Sequence, residues 1–460
     1  GNVAVNAGTM QDQNTSIAQA TAIAGNIGGV SVGVNVAIAD NATQNHAMIL
    51  GYVGDQAGVL KATGAVEVLA YGKAIAESKF KGLNVGAISV AASVAIAVLR
   101  SGQSAQIQGG NLQAAGLTVE SHLNRAFTPN GVDVTQDADK DTARAVLETG
   151  VGGLFAAAAN IAVAYGRSAS EAIAAPYTLS LSGTSGKVRV GSYGNAGVKS
   201  YIYNISSPLS AITAAAMVGA AFAQGEFTAE LQIPAGGTVH AGSVNVETLY
   251  LARAIADVTP SAQGVEVSFA SIKINAAIAV AGTKARAALC GVNGAGGELT
   301  TGALKVAADG ESYAQAEILT PVLTAANITV AANVIVAAVR SEQDSKISHV
   351  TVSILRKGNV TVDSKLNARR TETAGAILGG MGSATVALVG AKVNLAVALA
   401  DGRSRAELDS ASILDAGAIG ITSSGNTVAH AKTSADNLSV GLASVGINVL
   451  KAKANGGFDA

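Results

Sequence analysis

The nearest thing to a ligand set in this sequence is a run of aspartates, Asp133, Asp137, Asp139 and Asp141, within one polar stretch. Carboxylates alternating along a loop can converge on Ca2+, a hard cation that takes oxygen ligands. The stretch lacks the turn glycine and the distal bidentate glutamate of an EF-hand, and Lys140 stands among its acids. A solvated loop is the simpler reading, and Ca2+ is the one cofactor left open. His46, His122, His240, His349 and His430 are scattered singly, without metal-site spacing, and are expected at surface positions. Gly294-Ala295-Gly296-Gly297 and Gly379-Gly380-Met381-Gly382 lack the lysine or acidic partner of a phosphate loop and read as turns. No Gly-x-Ser-x-Gly elbow sits with a plausible histidine and acid. The single cysteine, Cys290, cannot form an internal disulfide and reads as a small buried hydrophobe. No catalytic or cofactor-binding residue is assigned, and the chain reads as a non-enzyme.

What would position such residues is a repeat. Val34-Asn35-Val36-Ala37-Ile38-Ala39 leads to a polar corner and resumes at Ala47-Met48-Ile49. Related segments carry Ser93, Asn160, Asn275, Asn333 and Asn394, and in every one a small residue opens the second half 12 positions later. A copy at Gly219 is degenerate, and another begins at Asn448. From Asn35 to Asn448 the mean period is 59 residues over seven intervals. Self-similarity at a fixed period marks a repeat architecture.

A second landmark lies between these copies. Val66 and Val68, Leu117 and Val119, Val188 and Val190, and Val244 and Val246 each form a short alternating run followed by polar residues. Such a run is a strand with one wet face. Each unit is then a half-exposed strand, a connection, a long apolar strand, a corner and a short strand. Along the long strand Val, Ile and Leu alternate with Ala, Gly, Ser and Asn, and burial on both faces inside stacked layers is expected. The recurring Asn35, Ser93, Asn160, Asn275, Asn333, Asn394 and Asn448 are expected to form a structural ladder of side-chain hydrogen bonds.

The composition agrees with such a stack. Gly accounts for 54 of 460 residues, aromatics for 3 %, and only 13 % of residues are charged. Small side chains cannot fill a thick core, but they let sheets approach closely over a long, thin interface. The expected fold is all-β, an elongated β-solenoid-like stack of about eight repeats, with 1–460 one continuous array. Stacked antiparallel hairpins forming a long β-sandwich are the alternative, because Asp401-Gly402 between alternating runs is a hairpin signal. A loop is inserted near 128–144, and the repeat over 176–236 is expected to be irregular. The Ala-rich stretches Gly150 to Ala164 and Leu209 to Ala223 would suit helix by composition alone. The β-branched period of their aligned copies argues for strand instead.

Net charge is −1 without acidic or basic blocks, so no nucleic-acid partner is suggested. Long uncharged runs such as Gly82 to Leu99 are interrupted by Gly, Ser and Asn and lack aromatic belts, so no membrane span is expected. The start without Met and the last repeat, which stops mid-unit, read as a segment of a longer chain.

Val34-Asn35-Val36-Ala37-Ile38-Ala39-Asp40-Asn41-Ala42-Thr43, then Ala47-Met48-Ile49 and Gly64-Ala65-Val66-Glu67-Val68, resembles the repeat regions of giant bacterial surface adhesins. These are the leukotoxin-like adhesins, related in style to filamentous haemagglutinins. The resemblance covers nearly the whole chain and implies a secreted, extracellular stalk at the bacterial cell surface, used in adhesion or biofilm contact. It carries no catalytic residue over. Expected partners are neighbouring repeats of the same chain, head-to-tail or lateral copies in a fibre, and a host or matrix ligand. Two rivals remain: a glycan- or host-protein-binding module using 128–144 and 176–236, and a polysaccharide-active enzyme on a β-helix.

Overall fold

The computed structural model describes residues 1–8, 15–51, 58–124, 127–128, 131–132, 142–182, 186–206, 209–259, 265–319, 323–379, 384–433 and 438–460. The unit of 59 residues is one turn of a parallel β-solenoid. In the fourth turn an outgoing strand, Lys187–Ser206, is followed by a return strand, Leu209–Ile233, and a short closing strand, Thr238–Ala241. The fifth turn repeats this as Ser243–Thr259, Val265–Gly291 and Glu298–Thr301. Each strand pairs in parallel with its counterpart one turn on, so that Val188 faces Val244, Met217 faces Asn275 and Val239 faces Leu299. Eight such turns are traced, and the fold is all-β and solenoid-like. The backbone ladders satisfy amide groups turn by turn, which lets a chain of small residues order itself without a thick core.

Parallel pairing rules out the stacked-hairpin alternative. The turn-prone segments at the corner position of the unit, Arg100-Ser101-Gly102-Gln103, Tyr165-Gly166-Arg167 and Asp401-Gly402-Arg403, lie inside the unbroken strands Ala65–Gln108, Phe155–Ala175 and Ala384–Asp409. Corners with a left-handed backbone fall later, before the closing strands, at Gly109 (φ 68°) and Gly110 (φ 76°), Gly236 (φ 71°), and Asn293 (φ 55°) and Gly294 (φ 76°). Glycine takes that conformation at no steric cost and asparagine at little.

Inside each turn the outgoing and return strands lie against one another, giving two cores separated by a seam. The proximal core joins the start of the outgoing strand, the end of the return strand and the closing strand, as in Val188, Val190, Leu231, Ile233 and Val239. The distal core sets Val198 and Ile202 against Met217, Ala221 and Ala223. Between them serines bind backbone carbonyls: Ser121 Oγ donates to Gln103 O at 3.0 Å, and Ser192 Oγ to Ser170 O at 2.7 Å. Beside the seam one column of the outgoing sheet reads Gly72, Leu123, Gly194, Tyr250, Gly310, Leu366, Gly425. Large residue and glycine alternate turn by turn. A Cβ on Gly310 would overlap the Tyr250 ring, and one on Gly194 the Phe227 ring. Phe227 and Tyr250 stack at 5.2 Å between centroids.

Two expectations about irregular regions meet different outcomes. The repeat over 176–236 keeps its backbone in the lattice: Leu209–Ile233 pairs with Phe155–Ala175 on one side and Val265–Gly291 on the other. Its departure from the pattern is one of side chains, because parallel register depends on the backbone ladder and tolerates a changed residue. At the insertion, the outgoing strand stops after Leu123 and resumes at Ala143, and Phe127–Thr128 pairs antiparallel with Gly131–Val132.

Candidate functional site

The long strand is buried on one face only, and the buried face carries mostly small residues, with Leu99, Met217, Ile335 and Val339 as larger exceptions. In the first turn Val30, Val32, Val34, Val36 and Ile38 point outward, and Val34 is 74 % exposed. Their neighbours Ala37 and Ala39 are buried, as are Ala95, Ala97, Ala162, Ala164, Ala279 and Ala281 in later turns. The expectation of burial on both faces is thus corrected. Across the distal core the alanines of the return strand face larger side chains of the outgoing strand, such as Val198, Ile202 and Ile318. These occupy the space and leave most return-strand valines and isoleucines on the outer face of a period-2 strand.

Register carries this arrangement from turn to turn. The column beginning at Val32 continues through Val90, Ala157, Ala214, Ile272 and Val330, and the column beginning at Val30 through Ile88, Phe155 and Ile212. Exposed Ile274, Ile328, Val393 and Ile447 extend the same surface to the last turn. Along the strands the apolar band gives way to charge. Arg100, Arg167, Arg340 and Asp401 occupy one outward column, and Glu226, Lys284, Glu342 and Arg403 the next. Arg100 Nη2 grips both oxygens of Asp40, at 2.9 and 2.6 Å.

The asparagine column faces the distal core. Asn275 Nδ2 donates to Asn333 Oδ1 at 2.9 Å, Asn333 to Asn394 at 2.8 Å, and Asn394 to Asn448 at 2.7 Å. The position before Asn275 is Met217, not an asparagine, because the fourth turn holds its place two residues ahead of Gly219. On the other side of Met217, Asn160 donates instead to Thr149 Oγ1 at 2.9 Å. Ser93 stands beside Asn160, and half-buried Asn35 beside Ser93.

A second grouping escaped sequence reasoning. Tyr71, His122 and Tyr193 occupy one outward column near the insertion and stack, with ring centroids 4.9 and 4.7 Å apart. His122, expected at the surface, is 1 % exposed. Its Nε2 lies 2.9 Å from Glu120, Arg189 Nε lies 2.7 Å from the other oxygen of that carboxylate, and Arg189 also reaches Glu247 at 3.3 Å. Tyr193 Oη donates to Glu247 at 2.7 Å. Burial, then the charges of Glu120 and Glu247, pushes the Tyr193 phenol well above its usual range. Burial would raise Glu247 as well, but hydrogen bonds from Tyr193 and Asn245 and the charges of Lys305 and Arg189 outweigh it, and Glu247 sits below the usual carboxylate range. These groups neutralise one another in register across turns. The signal for them was the common column, which becomes visible only once the turns are aligned.

Among the described residues no group of three or more His, Cys, Asp or Glu side chains could hold a metal ion. Asp133, Asp137, Asp139 and Asp141 lie outside the described residues. No helix among the described residues is long and apolar enough to cross a membrane. Comparison with protein-family models, with curated proteins and with solved structures finds no match to this chain.

Proposed function

We propose that this chain is a structural, non-enzymatic segment of a secreted bacterial cell-surface adhesin, a scaffold in cell attachment or matrix contact. One observation carries the reading: eight turns share one register, so that a residue's column, rather than its neighbourhood in sequence, decides its surroundings. That construction suits extension by adding turns, each advancing the stack by about 4.8 Å. The resemblance to adhesin repeats supplies the cellular setting.

The test uses inert particles coated with the chain. Particles that attach to host cells or extracellular matrix better than bare ones, with no reducing sugar released from acidic or neutral polysaccharides, support the scaffold. Failure to attach removes the adhesin role, and sugar release makes the chain an enzyme. The binding-module reading is separated by deleting 125–141, which leaves attachment unchanged if the array itself makes the contact.

A further inference from the structure

The outward face of the return sheet shows apolar side chains in every turn, on a surface that water covers in the single chain. Exposed bulky residues scattered singly are ordinary, but a contiguous apolar patch marks an interaction surface. From Val30 to the charged columns the band is about 30 Å wide, and eight strands give it about 34 Å of height, or about 1,000 Å². A stable dimer buries about 800 Å² per partner, so the band is large enough by itself.

We infer that this face binds the same face of a second copy of the chain, two return sheets packing back to back with their valine and isoleucine ridges interlocked. The occupant follows from periodicity. The outward columns repeat once per turn, at the inter-strand spacing of about 4.8 Å, with apolar columns such as Val32, Val90, Ala157, Ala214, Ile272 and Val330. A partner must carry ridges at the same spacing to fill these grooves along their whole height, and a second copy does so by construction. The flanking charges agree. Arg100, Arg167, Lys284, Arg340 and Arg403 are interleaved with Glu226, Glu342 and Asp401, so a copy meets a flank of mixed sign on which its basic side chains can pair with carboxylates. An anionic bilayer would instead select a flank dominated by lysine and arginine. This inference rests on the surface and stands or falls apart from the adhesin reading.

Sedimentation velocity of the whole chain across a concentration series is the test. The wild-type chain is expected at twice its own mass. Val32→Lys, Val90→Lys and Val330→Lys together should return it to the single-chain mass, with the strand circular dichroism unchanged. The three positions face outward, away from the alanine core. If the lysine variant loses its strand signal, the threonine versions at the same positions keep β-branching and should still weaken the dimer. Gln44→Lys with Gln224→Lys, outside the band, should leave the dimer intact. A wild-type chain at single mass at every concentration overturns the inference, as does a dimer that survives the three lysines. A single-mass chain that floats with phosphatidylcholine vesicles assigns the band to lipid.

Discussion

Met217 stands in register with Asn275 on the adjoining turn, and the Oδ1 of Asn275 has no hydrogen-bond donor among the described residues. Asn275, Asn333 and Asn394 all donate in one direction along the stack, ending on Asn448, so the missing donor belongs at position 217. The methionine there is fully buried and substitutes packing for a rung. Met217→Ala removes that packing without restoring the bond and should cost about 3 kcal/mol. Met217→Asn supplies the donor and should fall between the alanine variant and the wild type. Urea unfolding monitored by circular dichroism orders the three, and an asparagine variant weaker than the alanine one would show that the empty acceptor carries no cost.

Asn333 has asparagine on both sides, accepting from Asn275 and donating to Asn394. Asn333→Ala strands two buried partners at once and should cost about 2 to 3 kcal/mol. Asn35→Ala, on a half-buried residue at the first turn, should stay within about 0.5 kcal/mol. Equal losses at the two positions in denaturant titrations would deny the ladder any role in stability.

Gly310→Ala tests the alternating column beside the seam. The added methyl meets the Tyr250 ring, and overpacking of this kind costs about 1 to 3 kcal/mol. Pairing it with Tyr250→Leu should recover part of that loss, since the smaller side chain vacates the space. A double variant no better than the single one would contradict the packing account.

Cys290 is buried, and burial lifts its thiol to about 11, with Glu230 adding to the rise. At pH 8 the folded chain then carries roughly 100-fold less thiolate than an unfolded cysteine of ordinary pKa. Alkylation by iodoacetamide should be slow in the native protein and fast in denaturant. The folded state holds its proton over the window from the ordinary cysteine value up to about 11, so stability falls as pH rises through it. Cys290→Ser should flatten that part of the stability profile.

Glu247 behaves with the opposite sign. Its carboxyl is held below the usual range by Tyr193, Asn245, Lys305 and Arg189 against the effect of burial. Its contribution is present at neutral pH and fades as pH drops through the carboxylate range. Glu247→Gln should lower stability at pH 7 and reduce the fall between neutral and acid pH. An unchanged acid limb in the variant would remove Glu247 from the account.

Much of the fold could be read from residues and spacing. The period, the strand content and the asparagine positions follow from Asn35, Asn160, Asn275 and their kin, because a parallel stack puts equivalent residues in one column. Orientation did not follow. A strand alternating Val34 with Ala37 and Ala39 carries no label saying which face goes inside, and the usual preference for burying bulk points the wrong way. The outgoing strand opposite decides it, because residues such as Val198 and Ile202 already fill the space that the return strand faces, and that contact exists only in the closed turn. The Asp401-Gly402 pair misled for a related reason: its hairpin signal is local, while the ladders on both sides of Ala384–Asp409 hold the chain straight. His122 and Glu120 were invisible as a group because their companions Tyr71, Tyr193 and Arg189 come from neighbouring turns.

The alternation of Leu123, Tyr250 and Leu366 with Gly72, Gly194, Gly310 and Gly425 sets a rule for rebuilding this protein. Splicing out a lone turn brings two bulky side chains, or two voids, into adjacency, whereas excising or grafting an even number preserves the match. The interchangeable module is therefore a doublet, about twice the length that sequence periodicity advertises.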